Sequence, residues 1–317
     1  MNIKELVNNN IEKIKIFIII LEHLKNEYNN KLNVNIHKVI SAFFLKIFNN
    51  EDIENSKQKL LLDIKEKKIK LLYFINLNKK ITIEKIKYNV IKHEEKKEYT
   101  IIFDIKYNKF ENVNVYKIIP EYIYNKIHNI NNKKKEKYLF FFYIIVGFDT
   151  GQFWGLHPYI YDYINKNYTN SIECFASPFN NNIENYFSLL YPIDKFYGSK
   201  GDFFENFLKV NYNVYIINPP FVDTIILKVF DMIEEKLKYN HIQIFLYIPQ
   251  WDDIFFPWYK KILSKYITVL CKLNKNNSIV YDYIAAKSLK ATFGTYFIYI
   301  NNFVHKFCDL MNYKIKN

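Results

Sequence analysis

The chain has 317 residues, a formal net charge of +13 and a hydrophobic half. That length fits one large domain or two ordinary ones, and that much apolar material builds a sizeable core, which excludes a disordered chain. Aromatic residues make up 19% of the sequence, which leaves some aromatic surface to stack on a partner. Lys, Asn and Ile crowd the sequence while glycine is scarce, the mark of AT-rich coding. The charge therefore permits a nucleic-acid partner through counterion release without requiring one.

Cys174, Cys271 and Cys308 are far apart and form no CxxC pair, and the seven histidines show no ligand spacing. No structural metal is expected, and the low, odd cysteine count fits a reducing compartment. Residues 1–10 are polar and Asn-rich, unlike a signal peptide. The longest apolar runs, 16–21 and 138–146, are shorter than the roughly 20 residues a membrane span needs. The expectation is a soluble protein of the cytoplasm or nucleus, with no membrane partner.

In chain order, 11–27 and 35–49 carry apolar residues at helical spacing, and 71–77, 81–91 and 98–107 read as strands. Pro120 opens a short helix to about residue 128. The polar stretch 131–137, with Lys133, Lys134 and Lys135, is either a solvated loop or a phosphate contact. It marks a boundary between an accessory domain, 1–137, and a second domain, 138–317. Beyond it, strands are expected at 172–176, 214–217, 242–248, 267–271 and 295–300, with helices at 158–167, 181–190, 222–237 and 257–264. This alternation implies an α/β fold with βαβ units and a mostly parallel sheet, whose ligands bind beyond the carboxyl ends of the strands.

Asn218-Pro219-Pro220-Phe221 follows the apolar run 214–217, at a carboxyl end. Pro-Pro after a strand is common punctuation, yet each residue also suits chemistry on an amino group. The lone pair of an adenine N6 amine is delocalised into the ring, and acceptors on both N–H bonds favour a more tetrahedral nitrogen. The Asn218 side-chain oxygen and the Pro219 carbonyl can be those acceptors. The prolines fix φ and remove competing donors. Phe221 can stack on the base and set its angle of approach. Upstream, the segment 173–180 (ECFASPFN) ends another expected strand, where a doubly wound fold holds its cofactor, though it lacks the usual glycines.

The pair ECFASPFN and NPPF resembles the cap-specific adenosine N6-methyltransferases, also called phosphorylated-CTD-interacting-factor proteins. That family shares a glycine-poor first turn. The segment 191–201 (YPIDKFYGSKG) is similar to the family's aromatic-Gly-Ser-basic-Gly stretch, and 245–251 (FLYIPQW) to its strand ending in Ile-Pro-acid-Trp, with Gln250 in place of the acid. Asp149-Thr150-Gly151 and Leu156-His157-Pro158 match a Thr-Gly then Leu-Pro pattern. The match covers about 138–302.

The resemblance implies a Rossmann-like class I methyltransferase domain with a mainly helical N-terminal accessory domain, here α+β because of the strands over 71–107. It implies transfer of a methyl group from S-adenosyl-L-methionine to adenosine N6 in capped mRNA, at the first nucleotide, without a metal. Asn218, Pro219, Pro220 and Phe221 would hold the adenine. Phe175, Ala176, Ser177, Pro178 and Asn180, with Asp194, Tyr197, Gly198 and Ser199, would line the cofactor site. Lys200, Trp154, Trp251 and the lysines at 133–135 are candidate RNA or cap contacts, each tryptophan being equally a core aromatic. No WW-domain pattern is visible, so no docking module for the RNA polymerase tail is expected. The compact, AT-rich chain would suit a protist protein or a viral protein acting in an infected host cell. A DNA adenine N6-methyltransferase, an enzyme that methylates a protein glutamine amide and a catalytically inactive cap- or RNA-binding subunit are the competing readings, the first two because they too carry NPP-aromatic tetrads.

Overall fold

The computed structural model describes residues 83–107, 111–129, 133–146, 153–238, 242–255, 257 and 267–300. The helices expected at 11–27 and 35–49, the strand at 71–77 and nearly all of the helix at 257–264 lie outside those residues. The chain divides into two compact units, Met1–Gly151 and Gln152–Asn317.

In the first unit, β1 (Ile83–His93), β2 (Glu98–Tyr107) and β3 (Glu111–Pro120) form an antiparallel meander in that order. Alternation along β2 sends Ile101, Phe103 and Ile105 to one face, where all three are fully buried. Helices α1 (Glu121–Asn129) and α2 (Lys133–Val146) cover that face. Tyr99 of β2 stacks on Tyr124 of α1 at 4.0 Å, and Phe103 meets Phe141 of α2 edge to face at 5.0 Å.

Here the sequence reading needs correcting, because the lysine-rich stretch 133–137 is the first turn of α2 rather than a loop. The apolar run after it is buried from Leu139 to Ile144, as in a helix enclosed on all sides. Glu136 anchors the polar start of α2. Its buried carboxylate accepts a hydrogen bond from the Tyr88 hydroxyl at 2.6 Å and meets His128 Nδ1 at 2.7 Å. The helix thus runs across residue 137, and the two units divide after Gly151.

The second unit holds a five-stranded sheet of order β5-β6-β7-β11-β8. Its strands are β5 (Ser171–Glu173), β6 (Val214–Ile217), β7 (Gln243–Pro249), β8 (Ile267–Leu273) and β11 (Thr295–Ile300). Strands β5, β6 and β7 are parallel, and β11 runs antiparallel to both β7 and β8. Every residue of β6 and β11 is buried, the signature of strands covered on both faces.

Helix α3 (Pro158–Asn167) starts at a proline in its first turn and places Ile160, Tyr161 and Ile164 in a cluster with Val214, Ile216 and Phe245. Helices α4 (Tyr191–Asp194) and α5 (Phe203–Asn206) are single turns. Helix α6 (Asp223–Leu237) buries Ile225, Ile226, Val229, Phe230 and Ile233, one stripe of a 3.6-residue period. A small sheet of order β10-β9-β4, made of β4 (Trp154–Gly155), β9 (Ile279–Asp282) and β10 (Lys287–Lys290), is absent from the sequence reading.

The helix expected at 181–190 is absent, and the stretch holds bends at 183–185, isolated bridges at Tyr186 and Ser188 and a turn at 189–190. Tyr186 bridges Glu173 and Ser188 bridges Asp202, both in parallel sense. Phe187 N donates to the Glu173 carbonyl at 2.8 Å, and Ala176 N donates to the Phe187 carbonyl at 3.0 Å. Residues 186–190 are all buried, and the two bridges carry the parallel pattern beyond β5.

Candidate active site

The carboxyl ends of β5, β6 and β7 lie side by side, because parallel pairing gives neighbouring strands one sense. Glu173 pairs with Ile216, and Cys174 N donates to the Ile216 carbonyl at 2.8 Å. Two more steps of that register bring Phe175 level with Asn218. Ile217 pairs with Leu246 across the next ladder, so 218–221 start beside Tyr247. The two motifs singled out in the sequence, 173–180 and 218–221, are therefore neighbours on one sheet edge.

Asn218 Oδ1 is buried and accepts no hydrogen bond. A buried acceptor without a partner costs about 1–3 kcal/mol, and such exceptions call for an explanation, a catalytic role among them. The amide nitrogen lies close against Gly155 of β4. A Cβ on Gly155 would lie 2.5 Å from Asn218 Nδ2 and 3.4 Å from the Tyr283 ring. A methyl group here would displace the Asn218 side chain, whose amide occupies its space. Tyr283 is fixed in turn by its hydroxyl, which donates to the Leu156 carbonyl at 2.6 Å.

Pro219 is buried, while Pro220 and Phe221 are half-buried. Val222 N donates to the Pro220 carbonyl at 2.7 Å, a tight turn that fixes Phe221 at its centre. The Phe221 ring meets Phe293 edge to face at 5.6 Å and lies 6.0 Å from Tyr247. Tyr247 is enclosed, and its phenol pKa is pushed by burial up to about 12. Gly155, Tyr247, Tyr283 and Phe293 thus surround the tetrad, and none was a candidate from sequence.

The expected cofactor residues also converge. Phe175, Ala176, Ser177, Pro178 and Asn180 are all buried. Asn180 Oδ1 accepts from Ser177 N at 2.8 Å and from Ser177 Oγ at 2.7 Å, so side chains shape a turn that glycines shape elsewhere. The Tyr186 hydroxyl donates to the Tyr197 carbonyl at 2.9 Å, and the Ser188 and Ser199 hydroxyls are 3.0 Å apart. Ser199 N donates to the carbonyl of Asp194, which is fully buried. Gly198 takes the left-handed conformation, φ 102, that lets the chain reverse after Tyr197. Cys174 is free and buried, and burial raises its thiol pKa well above the ordinary value.

Among the described residues no group of three or more His, Cys, Asp or Glu side chains could hold a metal ion. No helix among them is long and apolar enough to cross a membrane.

A sequence-family model described as the phosphorylated CTD interacting factor 1 WW domain matches residues 121–282, about half of the 317 residues. The chain belongs to this family. No curated protein sequence matches the chain. The stretch shared with the phosphorylated CTD interacting factor family runs from α1 through β9. It contains Gly155, both motifs and the parallel strands that carry them.

The remaining candidates of this family member lie on different segments of the chain. Lys200 is exposed, and its N–H donates to the Tyr186 carbonyl at 2.8 Å. Trp154 is half-buried, with Nε1 donating to Asp282 Oδ2 at 3.2 Å. Trp251 is half-buried and lies 5.7 Å from Phe255. Lys133, Lys134 and Lys135 belong to the first unit, at the start of α2.

Beyond β7, Asp252 accepts hydrogen bonds from the Tyr296 hydroxyl and from Gln250 Nε2, and lies near Lys272. The Tyr296 bond leads in holding its carboxyl below the usual range. A depressed folded pKa contributes stability above the unfolded value of about 3.9, lost as pH falls through the folded value. Tyr296→Phe is therefore expected to lower Tm at neutral pH, by an amount that shrinks once acid protonates Asp252 in both proteins. A Tm difference independent of pH would show that Asp252 is not involved.

Proposed function

We propose that this family member transfers a methyl group from S-adenosyl-L-methionine to adenosine N6 in RNA, at the nucleotide next to the cap of mRNA. The observation that carries this reading is the buried, unpartnered Oδ1 of Asn218 at a strand's carboxyl end. An N6 amine offers the N–H that this acceptor lacks. The Pro219 carbonyl takes the second N–H, and neither proline presents a competing donor. Phe221, braced by Phe293 and Tyr247, stacks on the base and sets its plane.

The cofactor fits the donor set beside the tetrad. Phe175, Ala176 and Tyr197 provide apolar and aromatic surface, Ser177 and Ser199 hydroxyls, and Asp194 a carboxylate suited to ribose hydroxyls. When bound, S-adenosyl-L-methionine supplies an electrophilic methyl group on a sulfonium. The protein's part is orientation: Asn218 and the Pro219 carbonyl turn the amine, and Phe221 fixes the approach. The parallel strands, extended by the bridges at 186 and 188, support a Rossmann-like methyltransferase domain, with cofactor and target at adjacent carboxyl ends.

Mass spectrometry of nucleosides tests the reading. Capped RNA beginning with adenosine, incubated with protein and cofactor, is expected to yield N6-methyladenosine. Uncapped RNA, duplex DNA and a glutamine-containing peptide should yield far less product. Preferred methylation of duplex DNA would replace RNA as the substrate, and no product on any substrate would leave a binding subunit.

A further inference from the structure

We propose that the outer face of the β1-β2-β3 sheet is a binding surface for single-stranded RNA. The proposal rests on the RNA half of the reading above and is independent of the catalytic step. While the inner face of this sheet packs on α1 and α2, the outer face carries the alternate residues of each strand. The pairing register sets them in rows: Lys85, Lys106 and Asn112; Lys87, Asp104 and Asn114; Asn89, Ile102 and Tyr116; Ile91, Thr100 and Ile118. Tyr116 is 68% exposed, and Ile91 and Ile118 are each 48% exposed. A phenol ring held out on a rigid strand, between β-branched neighbours, is a large apolar area left open to water.

The chemistry of the rows selects the occupant. Bases need a flat aromatic face, groups that hydrogen-bond their edges, and cations for the phosphates. Tyr116 offers the face, and the exposed Asn89 offers an amide for the base edges. Lys85, Lys87 and Lys106 are exposed and gather at one end, where Asp104 is the one acid in the four rows. Among the described residues none of these lysines is in an ion pair with a carboxylate. A protein partner meeting an apolar sheet face would have no use for three free cations beside it, whereas a phosphate backbone would. An open antiparallel sheet suits unstacked bases better than a duplex, whose base faces are already covered.

Fluorescence anisotropy of the full chain with a short, fluorescein-labelled single-stranded RNA tests this. Tyr116→Ala should weaken binding about tenfold, the loss when one stacked base is given up, and Tyr116→Phe should bind as the parent does. The double variant Lys87→Glu, Lys106→Glu should bind weakly and show a flatter dependence on salt. Tyr116→Ala should still methylate capped RNA supplied at saturating concentration, while Asn218→Ala should bind RNA normally and lose methylation by roughly 10²–10³-fold. Equal RNA affinity in Tyr116→Ala and the parent, which would leave the face to a protein partner, overturns the proposal whatever the catalytic assays give.

Discussion

Asn218→Ala is expected to lower kcat by roughly 10²–10³-fold, the scale seen when one preorganised polar group is removed from a reacting centre, with RNA affinity unchanged. Oδ1 makes no hydrogen bond within the protein, so its removal deletes no internal hydrogen bond. Thermal stability should hold or rise, because a buried acceptor without a partner is itself unfavourable by about 1–3 kcal/mol. Turnover is read from N6-methyladenosine formed per enzyme, and stability from the melting temperature. An alanine variant that melts early and binds RNA poorly would make Asn218 a structural residue. One that turns over normally would remove the amine cradle altogether.

Gly155→Ala should nearly match that loss without touching the tetrad. Its new methyl group would sit 2.5 Å from Asn218 Nδ2, inside any van der Waals contact, so the amide must swing away. A displacement of about 1 Å at a reacting group can cost on the order of 10²-fold in rate. The effect should fall on kcat rather than on RNA affinity. Pairing Gly155→Ala with Asn218→Ala separates positioning from a general packing defect. If Gly155 acts through Asn218, the double variant is no slower than Asn218→Ala alone. Multiplied losses would show that Gly155 supports the site by another route.

The parts of this architecture that were legible are those whose signals are local. The all-apolar stretch 214–217 ending at Pro-Pro announces a buried strand and its stop, and Pro158 announces the first turn of α3. The stretch 181–190 was misleading for a physical reason. Ile183, Tyr186, Phe187 and Leu190 fall at the i, i+3, i+4, i+7 spacing of a helix face, and all four are buried. Flanking chain bonded on both sides decides against a helix, and no periodicity reports on neighbours. Lys133 to Lys137 looked like a loop because charge was read without the apolar turns that follow. Around the site, Gly155, Tyr283 and Phe293 were invisible, since they reach Asn218 and Phe221 from strand ends and turns distant in the chain. The two-residue β4 and the half-buried β9, with Asp282 at its end, leave no pattern to read.

The position of β11 bears on how the second unit is made. It is the last of the described strands along the chain, yet it is wedged between β7 and β8, which do not pair with each other. Until the ribosome has delivered 295–300, both of those edges stand open, with their backbone groups available to other molecules. Closure is therefore a late, long-range event, and the rim bearing 218–221 and 250–252 gains its final support only then. During synthesis the unit is at its most adhesive just before it is finished.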